Sequence, residues 1–270
     1  MSLALTARRG LVAAAIFAVA AYAGAPASAQ TETIRVGVTA GPHAEILEVV
    51  RDVAKERGLL DIKVVEFTDY VIPNQALANK EIEANSFQHE PYLTNQMSKT
   101  DWKLVKVAYT IASPMGFYSN KYKSFDEIPD GATIAIQNDP TNAARSLQLL
   151  HANGVIKLKD GNSVTASVFD IVENPKNFKF IELDAAQLPR SLPDVDAAAV
   201  NNNYAVQAGL DPVKDSIIKE TNDGPWVNII AVREEDRERP WVAKLVEAYH
   251  SDKVKEFVLT RFKGAYVPVW

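Results

Sequence analysis

The sequence predicts an α/β protein whose two lobes are joined by two crossings of the chain. Strand and helix patterns alternate over residues 33–110, and a second alternating region follows an extended segment at residues 113–118. A late apolar strand, residues 225–232, has the hydrophobic character of the first region. Two crossings form a hinge, and a cleft at a hinge can enclose a ligand.

The composition is ordinary for a folded soluble protein. The chain has 270 residues, of which 47% are hydrophobic and 23% are charged, and these values are ordinary for a soluble domain with a sizeable core. The chain contains no cysteine, so the fold must rest on its hydrophobic core without disulfides.

The first 29 residues have the pattern of a removed export signal. Arg8 and Arg9 precede an apolar run at residues 11–22, which is shorter than the roughly 20 residues of a membrane-spanning helix. Ala27-Ser28-Ala29 then supplies the small residues that a signal peptidase recognises. We therefore expect a periplasmic protein, and the lack of a cysteine predicts that it carries no lipid anchor.

The charge of the chain predicts the class of its partners. Removing residues 1–29 takes away two positive charges and no negative ones, so the formal net charge changes from −5 to −7. An acidic protein of this kind is not expected to bind nucleic acid or an anionic membrane as its main partner. We expect a monomer without a cofactor.

The first lobe opens with a βαβ unit. Residues 33–38 alternate as a strand, the next apolar stripe forms a helix that ends at Gly58, and residues 62–67 form a strand parallel to the first. The rest of this lobe is predicted to be a helix at residues 73–80, a short strand at 82–84, a helix at 91–97 and a strand at 104–110.

The second lobe follows the first crossing. A capping-box spacing at Ser124 to Glu127 precedes a strand at residues 133–137 and a helix that begins at Asp139-Pro140 and ends at Gly154. Further strands are expected at residues 178–183, 195–200 and 215–219.

The chain then returns to the first lobe. The strand at residues 225–232 is followed by two helices at residues 240–249 and 252–262. We therefore assign residues 30–114 plus 225–270 to lobe 1 and residues 115–224 to lobe 2.

The sequence lacks the motifs of the common enzyme classes. No serine lies in a Gly-x-Ser-x-Gly turn, and neither a G-x-G-x-x-G nor a P-loop sequence occurs. His89-Glu90 resembles the start of a His-Glu-x-x-His zinc motif, but Pro91 follows and the second histidine is missing. We expect neither catalysis nor a metal site, and the alternative that stays open is an exported enzyme in which His89 and Glu90 act as acid and base.

Two segments have the chemistry of a binding site for a small zwitterion. Arg145 lies on the first turns of the helix capped by Asp139, where its guanidinium can hold a carboxylate with two hydrogen bonds. A local ion pair, for instance with Asp139, is an equal alternative. Asn201 follows an apolar strand at the edge where α/β sheets bind ligands, although a turn role is the alternative for at least one of the three amides at residues 201–203. Asn228 is a lone amide in an apolar strand, and either a ligand or the backbone could be its partner.

Several specific stretches occur in one order along the mature chain: DYVIPN at residues 69–74, FQHEPYL at 87–93, NDPTN at 138–142, RSL at 145–147, ENPKN at 173–177, QLPRSL at 187–192 and NNNY at 201–204. With these stretches the chain resembles, from Ile34 to Phe262, the methionine-binding proteins of bacterial ABC importers, which are related to the NlpA lipoproteins.

The resemblance implies a two-lobed periplasmic binding protein, similar to type II, that holds L-methionine in the cleft and delivers it to a membrane permease. It implies that Arg145, Asn201 and Asn228 hold the polar end of the amino acid. The side-chain end would be lined by aromatic residues and a histidine, namely Phe67, Tyr70, Phe87, Tyr92 and His89. We add Asn142, from the NDPTN stretch, to the expected ligand-binding residues.

The sequence departs from the family in two respects. Members are commonly lipoproteins, whereas this chain has no cysteine to modify, and Ser113 stands where some members have a tyrosine. Another amino acid, a methionine derivative or a short peptide therefore stays open as an alternative cargo.

Overall fold

We describe the protein from a computed structural model, which covers residues 31–221 and 224–270. The predicted export signal, residues 1–29, lies outside the described residues. In the described part, no helix is both long and apolar enough to cross a membrane.

Strands and helices alternate along the chain as the sequence predicts. The strands are β1 (Thr33–Thr39), β2 (Asp61–Phe67), β3 (Ala84–Asn85), β4 (Leu104–Tyr109), β5 (Ile111–Ala112), β6 (Gly116–Tyr118), β7 (Thr133–Gln137), β8 (Lys157–Leu158), β9 (Ile171–Glu173), β10 (Lys179–Leu183), β11 (Ala197–Val200), β12 (Ile218–Lys219), β13 (Ile229–Arg233) and β14 (Val267–Pro268). The helices are α1 (Pro42–Glu56), α2 (Ile72–Ala78), α3 (Glu90–Met97), α4 (Pro140–Ala152), α5 (Leu188–Ser191), α6 (Asn202–Gln207), α7 (Pro240–Tyr249) and α8 (Asp252–Phe262).

The first sheet contains the late strand that the sequence assigns to it. Its order is β2-β1-β3-β13-β4, with β1 parallel to both β2 and β3. The strand β13 lies between β3 and β4 and is antiparallel to both. The chain therefore leaves this sheet after β4 and returns to it more than a hundred residues later.

The second sheet is built from the middle of the chain. Its order is β10-β7-β11-β6-β12, and β7 is parallel to both of its neighbours. The chain crosses between the two sheets once before β6 and once after β12. The predicted α/β fold with two crossings is confirmed, whereas the lobe boundaries stay a prediction.

Each sheet has a hydrophobic core on both faces. Helices α1, α7 and α8 cover one face of the first sheet with buried residues such as Leu47, Leu245 and Val258, and α2 and α3 cover the other with Leu77 and Leu93. The second sheet is covered by α4 on one face and by α5 and α6 on the other. These cores hold the carboxyl ends of the central strands in fixed positions.

Two local predictions, the start of the late strand and the capping box at Ser124, differ from the structure because of the hydrogen bonding of single backbone groups. Strand β13 begins at Ile229 and not at Pro225, because proline has no N–H to donate and Asn228 makes only an isolated bridge to His89. Ser124 precedes a single 3-10 turn without a side-chain cap, because Glu127 accepts from the Lys123 N–H instead. The predicted capping box is therefore wrong.

Candidate functional site

A cavity lies where strands of both sheets end. About 350 Å³ of its space is free of protein atoms, part of it open to solvent. Residues after β1, β3, β7 and β11 reach it, as expected for the carboxyl edge of α/β sheets. The lining residues are His43, Tyr70, Phe87, Gln88, His89, Tyr92, Ser113, Asn142, Arg145, Asn201, Asn203 and Asn228.

Arg145 lies at the polar end of the cavity, on the helix that the sequence predicts for it. Asp139 caps α4 by accepting from the Asn142 N–H, and Pro140 begins the helix. The Arg145 side chain is 4% exposed and its Nε and Nη2 donate to the two carboxylate oxygens of Glu220 at 2.7 and 2.5 Å. The acid that pairs with Arg145 is thus Glu220, from a distant segment, and not Asp139.

Glu220 and Arg145 together fix the two crossings. Arg145 Nη2 also donates to the Ser113 carbonyl at 2.8 Å, and Ser113 belongs to the first crossing. Glu220 follows β12 at the second crossing and accepts from the Met115 N–H. Among the residues described, Arg145 Nη1 has no acceptor, so this edge of the guanidinium stays available for the carboxylate of a ligand.

A directed chain of hydrogen bonds orients the amides beside Arg145. Ser146 donates to Gln137, Gln137 donates to Asn201, and Asn201 donates to Asn142 at 2.9 Å. Asn142 donates in turn to the Asp139 carboxylate. Because a carboxylate only accepts, it sets the direction of every amide in the chain. Asn201 uses one N–H and one lone pair of its oxygen here, which leaves one of each for a ligand.

His89 is held as a neutral ring in this network. Its Nδ1 accepts from the Tyr92 N–H at the start of α3, so Nε2 carries the proton and faces the Asn142 oxygen at 3.4 Å. Burial, and then the charge of Arg145, lower the pKa of His89 to about 3. The imidazole is therefore uncharged at neutral pH and serves as a donor in the cavity wall.

Asn228 is oriented by a histidine from the first sheet. The Asn228 Nδ2 lies 2.8 Å from Nε2 of His43, whose Nδ1 lies 3.0 Å from the Thr39 hydroxyl. Asn228 and His43 are both buried. Asn228 therefore has a protein partner, and its other amide atom, Oδ1, has no donor among the residues that the structure covers.

The other end of the cavity is aromatic. The ring of Tyr70 lies 6.0 Å from Phe87, 6.2 Å from Tyr92 and 5.1 Å from Tyr204, measured between centroids. The Tyr70 hydroxyl donates to Asn203 at 2.5 Å, and burial raises the pKa of that hydroxyl well above its usual value, so it stays protonated. The wall suits an apolar, polarizable side chain.

Two residues singled out in the sequence lie away from the cavity wall. Phe67, the last residue of β2, packs beneath the first sheet beside Leu77 and does not line the cavity. Glu90 forms an ion pair with Lys106 at 2.6 Å and lines a separate groove. His89 and Glu90 are neighbours in sequence, but of the two only His89 lines the cavity.

Several residues of the site were missed by sequence reasoning, including Gln88 and Ser113 of the cavity wall. His43 and Glu220 act through partners distant in sequence, and Asn203 lies in an amide run that resembles a turn. Trp226 packs against His89 with 5.0 Å between ring centroids, and its ring lies 5.3 Å from the guanidinium carbon of Arg145. An aromatic residue beside a lone amide, as in Pro225-Trp226-Val227-Asn228, was the available signal.

No metal site competes with this cavity in the described part of the chain. No group of three or more histidine and acidic side chains is placed there to hold a metal ion. The polar side chains of the cavity are instead amides, neutral imidazoles, hydroxyls and one guanidinium, which are groups that bind organic ions.

The sequence matches a known family over nearly all of this structure. Residues 34–270 match the model of the NlpA lipoprotein family. The chain is 49% identical over 239 residues to the D-methionine-binding lipoprotein MetQ of Salmonella typhi and 48% identical to that of Escherichia coli K12, with 88% of each chain covered in both comparisons.

Solved structures agree with the fold. A nutrient binding protein from Burkholderia cenocepacia bound to methionine is 52% identical, with a TM-score of 0.86 over 88% of this chain and 100% of that one. A periplasmic substrate-binding protein of an ABC transporter from Coxiella burnetii is 43% identical, with a TM-score of 0.85 over 87% of this chain and 100% of that one.

These relatives correct one expectation from the sequence. The prediction of a protein without a lipid anchor is not borne out, because the curated relatives are named lipoproteins. The 270 residues nevertheless contain no cysteine. The extracytoplasmic location that we expected fits the names of the relatives.

Proposed function

Since this chain belongs to the NlpA lipoprotein family, we propose that it is the substrate-binding protein of an ABC importer and holds methionine in the cavity between its two sheets. The observation that carries this proposal is the division of the cavity into two ends. One end has a guanidinium edge and oriented amides, and the other has aromatic rings.

The polar end matches the charges of a free amino acid. The carboxylate of the ligand takes the open Nη1 edge of Arg145 together with the spare N–H of Asn201. We assign the ammonium to the Oδ1 of Asn228, an acceptor that has no donor among residues 31–221 and 224–270. Because Glu220 already neutralises Arg145, a zwitterion of zero net charge leaves no uncompensated charge in the buried site.

The aromatic end matches a thioether. Methionine gains from contacts between its sulfur and the edges of aromatic rings, worth about 0.3–1.5 kcal/mol each. Tyr70, Phe87 and Tyr92 supply these rings, and His89 and Asn142 close the wall between the two ends. Phe67 is not part of this proposal, because the structure does not bring it to the cavity.

The protein acts by binding and closure, without chemistry. We propose a monomer, outside the cytoplasm, whose closed form offers surfaces of both sheets to a membrane permease. The alternative of an enzyme that uses His89 and Glu90 has no support in the geometry. His89 with a pKa of about 3 is a poor base at neutral pH, and Glu90 is engaged by Lys106 outside the cavity.

Isothermal titration calorimetry tests the proposal. The protein is unfolded and refolded to remove carried ligand, and it is then titrated with L-methionine, D-methionine, other amino acids and short methionine peptides. We expect one molecule of methionine bound per chain, and mass spectrometry of the protein as purified should find intact ligand. Heat with another ligand, and none with either form of methionine, would overturn the assignment of the cargo.

A further inference from the structure

The orientation of the Asn228 amide is fixed by hydrogen bonds that can be followed back to the core. Asn228 Nδ2 can only donate, so His43 Nε2, at 2.8 Å, is the acceptor and carries no proton. The imidazole proton is therefore on Nδ1, from which it is donated to the Thr39 hydroxyl at 3.0 Å. The second N–H of Asn228 faces the Phe87 carbonyl at 3.5 Å.

The His43 ring itself has little freedom. It lies in the first turn of α1, directly after Gly41-Pro42, and it is 3% exposed. Tyr266 packs edge-on against it, with 6.1 Å between the ring centroids. Burial lowers the pKa of His43 to about 4, so the ring stays neutral and Nε2 stays an acceptor at neutral pH.

We propose that His43 is a positioning residue for the ammonium group of the ligand. By holding Nδ2 of Asn228, its Nε2 turns the Oδ1 of Asn228 toward the cavity as an acceptor. Without this contact the amide can rotate by half a turn and present its N–H groups, which repel an ammonium. This inference rests on the proposed function, because it assigns the end of the cavity that receives the amino group.

Calorimetry with a pair of ligands tests the role of His43. The ligands are L-methionine and 4-(methylthio)butanoate, which lacks the amino group. The variants are His43→Phe, which keeps a ring without an acceptor, and His43→Gln, which keeps an acceptor on a side chain of similar reach. Circular dichroism checks that each variant is folded.

We expect His43→Phe to weaken L-methionine binding about tenfold to a hundredfold, the range for a hydrogen bond to a charged group, and to leave the deaminated ligand almost unchanged. His43→Gln should retain most of the affinity. Equal losses for both ligands, or no loss for either, would overturn the positioning role. Failure of the unaltered protein to bind methionine at all would instead contradict the proposed function.

Nitrogen NMR gives a readout that does not depend on ligand binding and uses a variant only to assign the signal. Imidazole nitrogen shifts of the refolded, ligand-free protein report which ring nitrogen carries the proton, and the signal that is absent in His43→Gln identifies His43. We expect the proton on Nδ1. A proton on Nε2 would overturn the inference, because Asn228 would then turn its oxygen toward His43.

Discussion

Arg145 donates to both carboxylate oxygens of Glu220, although 75 residues separate them in sequence. Both side chains are largely buried, with 4% and 11% of their surfaces exposed. The predicted carboxylate-binding arginine thus already holds a carboxylate of its own chain. The pair cancels the charge at the polar end of the cavity and leaves one edge of the guanidinium for a ligand.

Replacing Arg145 should affect stability as well as binding. In Arg145→Ala, Glu220 is left as a buried charge without a partner, and removing one member of a buried pair costs about 3–5 kcal/mol. We therefore expect the free energy of unfolding in urea to fall by about this amount. Methionine affinity, measured under folding conditions, should fall about a hundredfold.

A double replacement separates the two effects of that change. In Arg145→Met with Glu220→Leu, neither member of the ion pair is left as an unpaired charge, and such swaps are often neutral for stability. The double variant should recover most of the lost stability and still fail to bind methionine. Recovery of binding together with stability would contradict the assignment of Arg145 to the ligand carboxylate.

Removing the charge of Glu220 should raise the affinity for an anionic ligand relative to that for a zwitterion. Glu220→Gln keeps acceptors and donors of similar shape but leaves the charge of Arg145 uncompensated. We expect 4-(methylthio)butanoate, which has a net negative charge, to gain affinity relative to the zwitterion methionine. An unchanged ratio of the two affinities in calorimetry would show that Glu220 does not set the charge of the site.

The two buried histidines should make the fold sensitive to mild acid. The pKa values of His43 and His89 lie at about 4 and about 3 in the folded protein, against 6.5 in the unfolded chain. Above pH 6.5 both states are neutral, so neither ring makes stability depend on pH. Between pH 6 and pH 5 these protons bind mainly to the unfolded state, so each ring costs up to about 1.4 kcal/mol of stability per pH unit.

Urea unfolding at pH 7, 6 and 5 measures this dependence on the ligand-free protein. The matched variant is His89→Gln, which cannot titrate but keeps a polar side chain at the cap of α3. Its loss of stability per pH unit should be smaller by up to about 1.4 kcal/mol. Parallel curves for the two proteins would show that His89 is not held neutral by the fold.

Gly41 should be required at the turn before α1. Its φ of 80° is unfavourable for other residues, and a Cβ there would lie 2.9 Å from Cγ of Gln207. We expect Gly41→Ala to destabilise the protein by about 1–2 kcal/mol through backbone strain, plus the clash. Gly58→Ala is the control, because Gly58 has φ of 65° and no atom of the described residues lies within 4 Å of such a Cβ. Equal losses would mean that Gln207 moves aside without cost.

Features determined by neighbouring residues could be predicted from the sequence. Asp139-Pro140 marks the start of α4 because an N-cap carboxylate and a first-turn proline act on the adjacent backbone. The helices α7 and α8 begin and end at the predicted residues for similar local reasons. Arg145 and the amides after β11 could be predicted as site residues for similar reasons, because Arg145 lies near a recognisable helix start and the amides follow a recognisable apolar strand.

Contacts between distant segments could not be predicted from the sequence. Glu220 is one of 34 acidic residues, and only the second crossing brings it to Arg145. Helix α6 was missed because Asn202 and Asn203 have poor helix propensity, and tertiary burial overrides that preference. Phe67 was expected in the cavity by resemblance, but the packing beneath the first sheet determines where its ring lies.

Because Arg145 contacts both crossings, we expect the affinity for the ligand to depend on whether the hinge is open or closed. Ser113 and Glu220 hold the guanidinium from opposite crossings, so a movement of either crossing also moves the group that we propose for the ligand carboxylate. By thermodynamic linkage, if methionine favours the closed form by some factor, opening lowers methionine affinity by the same factor. A permease that pulls the two crossings apart would thereby unload the protein without having to reach the cargo.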